Sequence, residues 1–120
     1  MANRTKKFLF DIVHAVAELE LFIQDLTPEQ FSEFEHNLVL RRAIEREVEI
    51  MGEAIHNLVK NDSSYLHKIH RSRNIVDMRN QIVHSYDGVS NELIWSFVWK
   101  HVPILKRDVK SLLEVYVHFE

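Results

Sequence analysis

Only two glycines and two prolines punctuate the 120 residues of this chain. Tight turns and sheet edges draw on those two residue types, so an all-β sandwich or barrel is excluded. A Gly-rich phosphate loop is excluded as well, since GxGxxG needs three glycines and the two present, Gly52 and Gly88, stand too far apart for GxxxxGK[ST]. The absence of cysteine removes a disulfide scaffold, a thiolate zinc site and a thiol nucleophile together. What is left is a helical protein. Its length fits one domain, residues 1–120, with a single core.

Apolar residues recur at three- and four-residue steps in four segments. The first, residues 5–26, carries Phe8, Ile12, Val16, Leu19, Ile23 and Leu26 on one stripe. Thr27-Pro28-Glu29 reads as an N-cap followed by proline at the first helical position, opening a short helix through Phe34. The second long helix, residues 36–59, aligns Arg41, Ile44, Val48, Met51, Ile55 and Leu58. A third segment, 65–85, is interrupted where polar residues fill 71–74, and Asp87-Gly88 marks a turn. Ser90 caps the last helix, which aligns Ile94, Val98, His101, Leu105, Val109, Leu112 and Tyr116. Pro103 lies inside that helix and predicts a kink near Trp99. Short connections favour an all-α, up-down antiparallel bundle with a kinked C-terminal helix.

The formal charge is −3, so no overall basic field draws in nucleic acid or an anionic membrane. The distribution is uneven. Between His67 and His84 stand Lys68, Arg71, Arg73 and Arg79 against Asp77 alone. The N-terminal basic residues are followed by an apolar run that Asp11 breaks, and no segment approaches the ~20 apolar residues a membrane span needs. A cytoplasmic location with no membrane association is the expectation.

The densest polar cluster is Arg79-Asn80-Gln81-Ile82-Val83-His84-Ser85-Tyr86. It offers a permanent cation, an imidazole that exchanges protons near neutrality, and a phenol. A guanidinium grips phosphate oxygens and an imidazole serves as general acid or base, which together suffice to cleave RNA without a metal. On a regular helix His84 would point about 140° away from Arg79. Either the helix ends before His84, or the working site is shared between two chains. The structural alternatives are a surface ion pair of Arg79 with Asp77 or Glu92, a helix-end role for His84, and a core phenol at Tyr86. His67-x-x-His70 has ligand-pair spacing, yet no third ligand is identifiable, so no metal and no cofactor are expected. Trp95, Phe97 and Trp99 read as core or dimer contacts rather than base-stacking platforms. Gly52, within a helix, predicts the close approach of another helix, and Glu53 a pairing with a basic neighbour.

Arg79-x4-His84-x-Tyr86 resembles the RX4HXY motif of HEPN domains, specifically the HepT-like toxins. Met51-Gly52-Glu53-Ala54 is similar to the family's "GEA" segment, Met78-Arg79-Asn80 to its "MRN" opening, and Trp95 with Val102-Pro103 and Leu105 to its final helix. The chain departs from that pattern at Asp87, where an apolar residue is usual. The resemblance implies a homodimer whose two motifs share a cleft, and an endoribonuclease acting on tRNA or mRNA. It also implies catalytic Arg79 and His84 assisted by Asn80. It further implies a type VII toxin–antitoxin pair in which an MNT-type nucleotidyltransferase attaches AMP to Tyr86. The competing expectation is a non-catalytic nucleotide-binding or interaction subunit of a nucleotidyltransferase.

Overall fold

The computed structural model describes residues 2–85 and 89–119, with side chains placed over 4–85 and 89–115. Helix α1 spans Ala2–Phe22, α2 Phe31–Glu35, α3 Leu38–Asn61, α4 Tyr65–Lys68, α5 Ser72–His84, α6 Asn91–Ser96 and α7 Val102–Phe119. A π-helical turn, Phe97–His101, joins α6 to α7. Helix α3 lies between α1 and α5, and α7 packs on the other flank of α1. The result is the expected antiparallel helical bundle, and no strand occurs among the described residues. Nor is any described helix long and apolar enough to cross a membrane.

Periodicity explains the core. Leu9, Ile12, Val16 and Leu19 of α1 face Ile44, Val48, Met51, Ile55 and Leu58 of α3, and all are buried. Each such side chain contributes roughly 1.5–3 kcal/mol on burial. Helix α3 begins where Asn37 accepts a hydrogen bond from the Leu40 amide at 3.0 Å, slightly later than the spacing predicts. Arg41, on the apolar stripe, turns its guanidinium to the Glu35 carbonyl at the end of α2.

Three further boundaries differ from the sequence expectation, each for a local reason, and the irregularity expected near Trp99 is present. Helix α1 stops at Phe22, because Gln24 and Leu26 donate to carbonyls only three residues back and tighten the chain into turns. Thr27 does not cap α2. Its amide is taken by the Gln30 side chain at 2.8 Å, while the Pro28 carbonyl accepts the Trp95 indole N–H at 2.7 Å. The segment is thereby held as a turn, and α2 starts only at Phe31. The break in the third segment falls at 69–71 rather than 71–74, with Arg71 in the left-handed region at φ 56°. A non-glycine residue there costs about 1–2 kcal/mol. Pro103, lacking an N–H, interrupts the last helix as a π-helical turn, in which the Val102 amide reaches back five residues to the Phe97 carbonyl. Ser90 caps α6 as expected, accepting from the Leu93 amide at 3.2 Å.

Trp95 is buried, stacking on Phe34 at 5.0 Å and meeting Trp99 edge-on at 5.5 Å, so it is a core residue. Glu47, only 3% exposed, is the one charged side chain buried on α3. One of its carboxylate oxygens has no partner. Burial first, and then the neighbouring Glu18, push its pKa up to about 7, with Arg46 opposing.

Candidate ribonuclease site

Helix α5 carries the candidate site, and its seat on α3 is set by a missing side chain. A Cβ at Gly52 would lie 2.9 Å from Arg79 Cγ, closer still to Arg79 Cβ, and 3.2 Å from the Ile75 carbonyl oxygen. Gly52 is therefore where α5 touches α3, the close helix approach its position predicts. The contact lays the aliphatic stem of Arg79 across α3 and leaves its side chain 26% exposed.

The guanidinium is held at both ends. One terminal nitrogen donates to Glu53 Oε2 at 2.7 Å and the other to Asn80 Oδ1 at 2.9 Å, while Nε is buried without a partner. Glu53 is the ion-pair partner of Arg79, in place of Asp77 or Glu92. Sequence spacing alone hides the pairing, because the two residues lie 26 positions apart.

Arg79 opens onto a groove of about 590 Å³ between α1, α3 and α5. The other charged groups lining it are Lys7, Asp11, Arg46, Glu49 and Glu53, and each cation is paired: Lys7 to Asp11 at 2.8 Å, Arg46 to Glu49 at 3.1 Å. Lys7 and Arg46 were not singled out by motif. For Arg46 the visible signal in the sequence is a stripe with Glu49, Glu53 and Asn57 at three- and four-residue steps, and for Lys7 it is the four-residue step to Asp11.

His84 lies elsewhere. Helix α5 does not end before it: His84 is the last helical residue, and Ser85 closes the helix by donating its amide to the Gln81 carbonyl at 3.0 Å. The imidazole is exposed and is not among the groups lining the groove. Five residues along a regular helix set it about 140° around the axis from Arg79. The fold thus brings Arg79, Asn80 and Glu53 together and turns His84 away within one chain. Tyr86 and the expected turn at Asp87-Gly88 lie outside the described residues. No three His, Asp or Glu side chains gather as a metal site among the described residues.

A helical bundle with a polar motif on one helix defines a class, and comparison gives its family. The ribonuclease HepT-like family model matches residues 12–112, and the chain belongs to that family. A candidate RNase of Caldanaerobacter subterraneus subsp. tengcongensis is 35% identical over 84% of this chain and 89% of its own length. A candidate RNase of Methanocaldococcus jannaschii is 31% identical over 88% of this chain and 93% of its own. A candidate ribonuclease HepT of Thermococcus cleftensis is 31% identical, covering 93% of this chain and 98% of its own. No solved structure matches the chain.

Proposed function

We propose that this protein is a metal-independent endoribonuclease whose working site forms between two copies of the chain. The divergence of Arg79 and His84 around a continuous α5 carries this reading. Because the two groups leave α5 in different directions, the reading has a second α5 supply an imidazole beside the guanidinium of the first. Val83, 43% exposed and one turn beyond Arg79, gives the homodimer apolar surface to cover.

In the reaction, His84 as general base takes the proton of a ribose 2′-hydroxyl. The freed oxygen attacks the adjacent phosphorus, and the 5′-oxygen leaves with a proton from water, the resulting hydroxide being neutralised by the imidazolium. A 2′,3′-cyclic phosphate and a 5′-hydroxyl result. Arg79 stabilises the charge that builds on the phosphoryl oxygens, and Asn80 orients its guanidinium. Glu53 holds Arg79 until phosphate replaces it, a modest barrier because an exposed ion pair contributes only about 0–1 kcal/mol.

Control follows the toxin–antitoxin reading. An MNT-type nucleotidyltransferase transfers AMP from ATP to the Tyr86 hydroxyl, releasing pyrophosphate. The adduct places phosphate where RNA would bind and silences the enzyme. The test is cleavage of tRNA and mRNA in EDTA by the purified dimer. Cyclic phosphate ends, lost in His84→Ala with the fold retained, support the reading. An inert protein that still binds a nucleotidyltransferase would instead establish the interaction-subunit alternative.

A further inference from the structure

The cations of the Arg79 groove are all paired, whereas those at the opposite end of α5 are not. Arg71 and Arg73 have no carboxylate within ion-pair distance among the described residues, and both are exposed. They flank the N-terminus of α5, which has no side-chain cap and no acidic residue in its first turn. A depression of about 320 Å³ lies there, lined by both arginines with His67 and Asn74. It adjoins a second pocket of about 310 Å³, with which it shares Leu66, Ser72 and Arg73. The second pocket has apolar walls from Ile55, Val59, Leu66 and Val76, and polar lining from His56 and Asp77.

The cationic character extends beyond the two arginines. His101 is held below the ordinary imidazole value by burial first, then by Arg71, His70 and Lys100. Arg71 also occupies its left-handed conformation where glycine would fit without strain. An unpaired guanidinium is thus retained at a backbone position that disfavours it.

Position along α5 connects this end to the chemistry. Arg73, Asp77, Asn80 and His84 recur at steps of four, three and four residues, forming one exposed stripe. Arg73 lies about 16 Å from His84 along that stripe.

We propose that the paired pockets are a nucleotide subsite, seating a base in the apolar slot and its phosphate on Arg71, Arg73 and the α5 amides. This inference rests on the ribonuclease reading for its ligand, an RNA nucleotide a few positions from the scissile bond. Asp77 accepts a hydrogen bond from an exocyclic amino group, so the slot favours cytosine over uracil.

Binding to the cleavage-dead His84→Ala dimer tests it, using fluorescent single-stranded oligo-C and oligo-U, with free CMP as competitor. Arg73→Gln in that background should weaken oligo-C binding about tenfold. It should also reduce the slope of log affinity against log salt by about 0.7. Arg71→Gly should weaken binding similarly while holding or raising Tm, because glycine relieves the left-handed residue. Asp77→Asn should abolish the preference for C over U. Arginine-dependent competition by CMP assigns a mononucleotide site, and its absence a site that needs the strand; both uphold the proposal. Affinities within twofold of the parent in both arginine variants would overturn it, even if those variants lose a protein partner. Because the readout is binding, arginine-dependent affinity in a protein that never cleaves RNA would sink the ribonuclease reading and leave the subsite standing.

Discussion

Gly52 of α3 and Arg79 of α5 touch so closely that no side chain fits between them. The contact fixes where the guanidinium emerges. Intrinsic helix propensity favours alanine over glycine by about 1 kcal/mol, but here the added methyl meets the root of the Arg79 side chain rather than its flexible end. Gly52→Ala should therefore destabilise the protein by about 1–3 kcal/mol. It should lower cleavage by displacing Arg79. Thermal unfolding and an RNA cleavage assay check both halves, and an alanine variant more stable than the parent would contradict the packing.

Arg79→Ala removes the group proposed to meet the developing charge. Cleavage should fall about 10²–10³-fold. Stability should change little, because the ion pair to Glu53 is largely exposed on the carboxylate side. Arg79→Lys should recover only part of the activity, since an ammonium lacks the planar fork. The comparison is kcat against Tm for the three proteins.

Glu47 makes stability depend on pH. Its folded-state pKa of about 7 lies above the ordinary 4.5, so the folded chain keeps a proton that the unfolded chain has released. The resulting stabilisation is complete below about pH 4.5 and is lost as pH rises to about 7. Glu47→Gln should flatten that part of the profile and be more stable than the parent at about pH 8. Denaturant titrations across the range measure it.

The helix caps offer a calibration away from the site. Asn37→Ala and Ser90→Ala each remove a side-chain acceptor from a helix N-terminus. Each should cost about 1 kcal/mol in denaturant unfolding and leave cleavage unchanged.

Much of this molecule is legible from its sequence, because helical periodicity depends on spacing alone. The stripes of α1 and α3 are buried as their three- and four-residue steps require. Ser90 and Gly52 act as their residue types predict. Tertiary partners are what spacing cannot supply. Thr27 looks like a helix cap until Trp95, 67 residues beyond Pro28, claims the Pro28 carbonyl. Arg79 looks free to pair with Asp77 until Gly52 draws it across α3 to Glu53. The continuation of α5 through His84 was open for the same reason, since local sequence permits an earlier stop there. Because α5 runs through His84, the intermolecular way of uniting imidazole and guanidinium is the one proposed.

Subunit mixing tests that claim most directly. Arg79→Ala and His84→Ala homodimers, each inactive alone, are exchanged and assayed on RNA in EDTA. In a mixed dimer one of the two symmetric sites has both an intact Arg79 and an intact His84 from opposite chains. Activity should return to about one quarter of the parent level, half of the dimers being mixed and half of their sites complete. No recovery after verified exchange would contradict a site built from both chains.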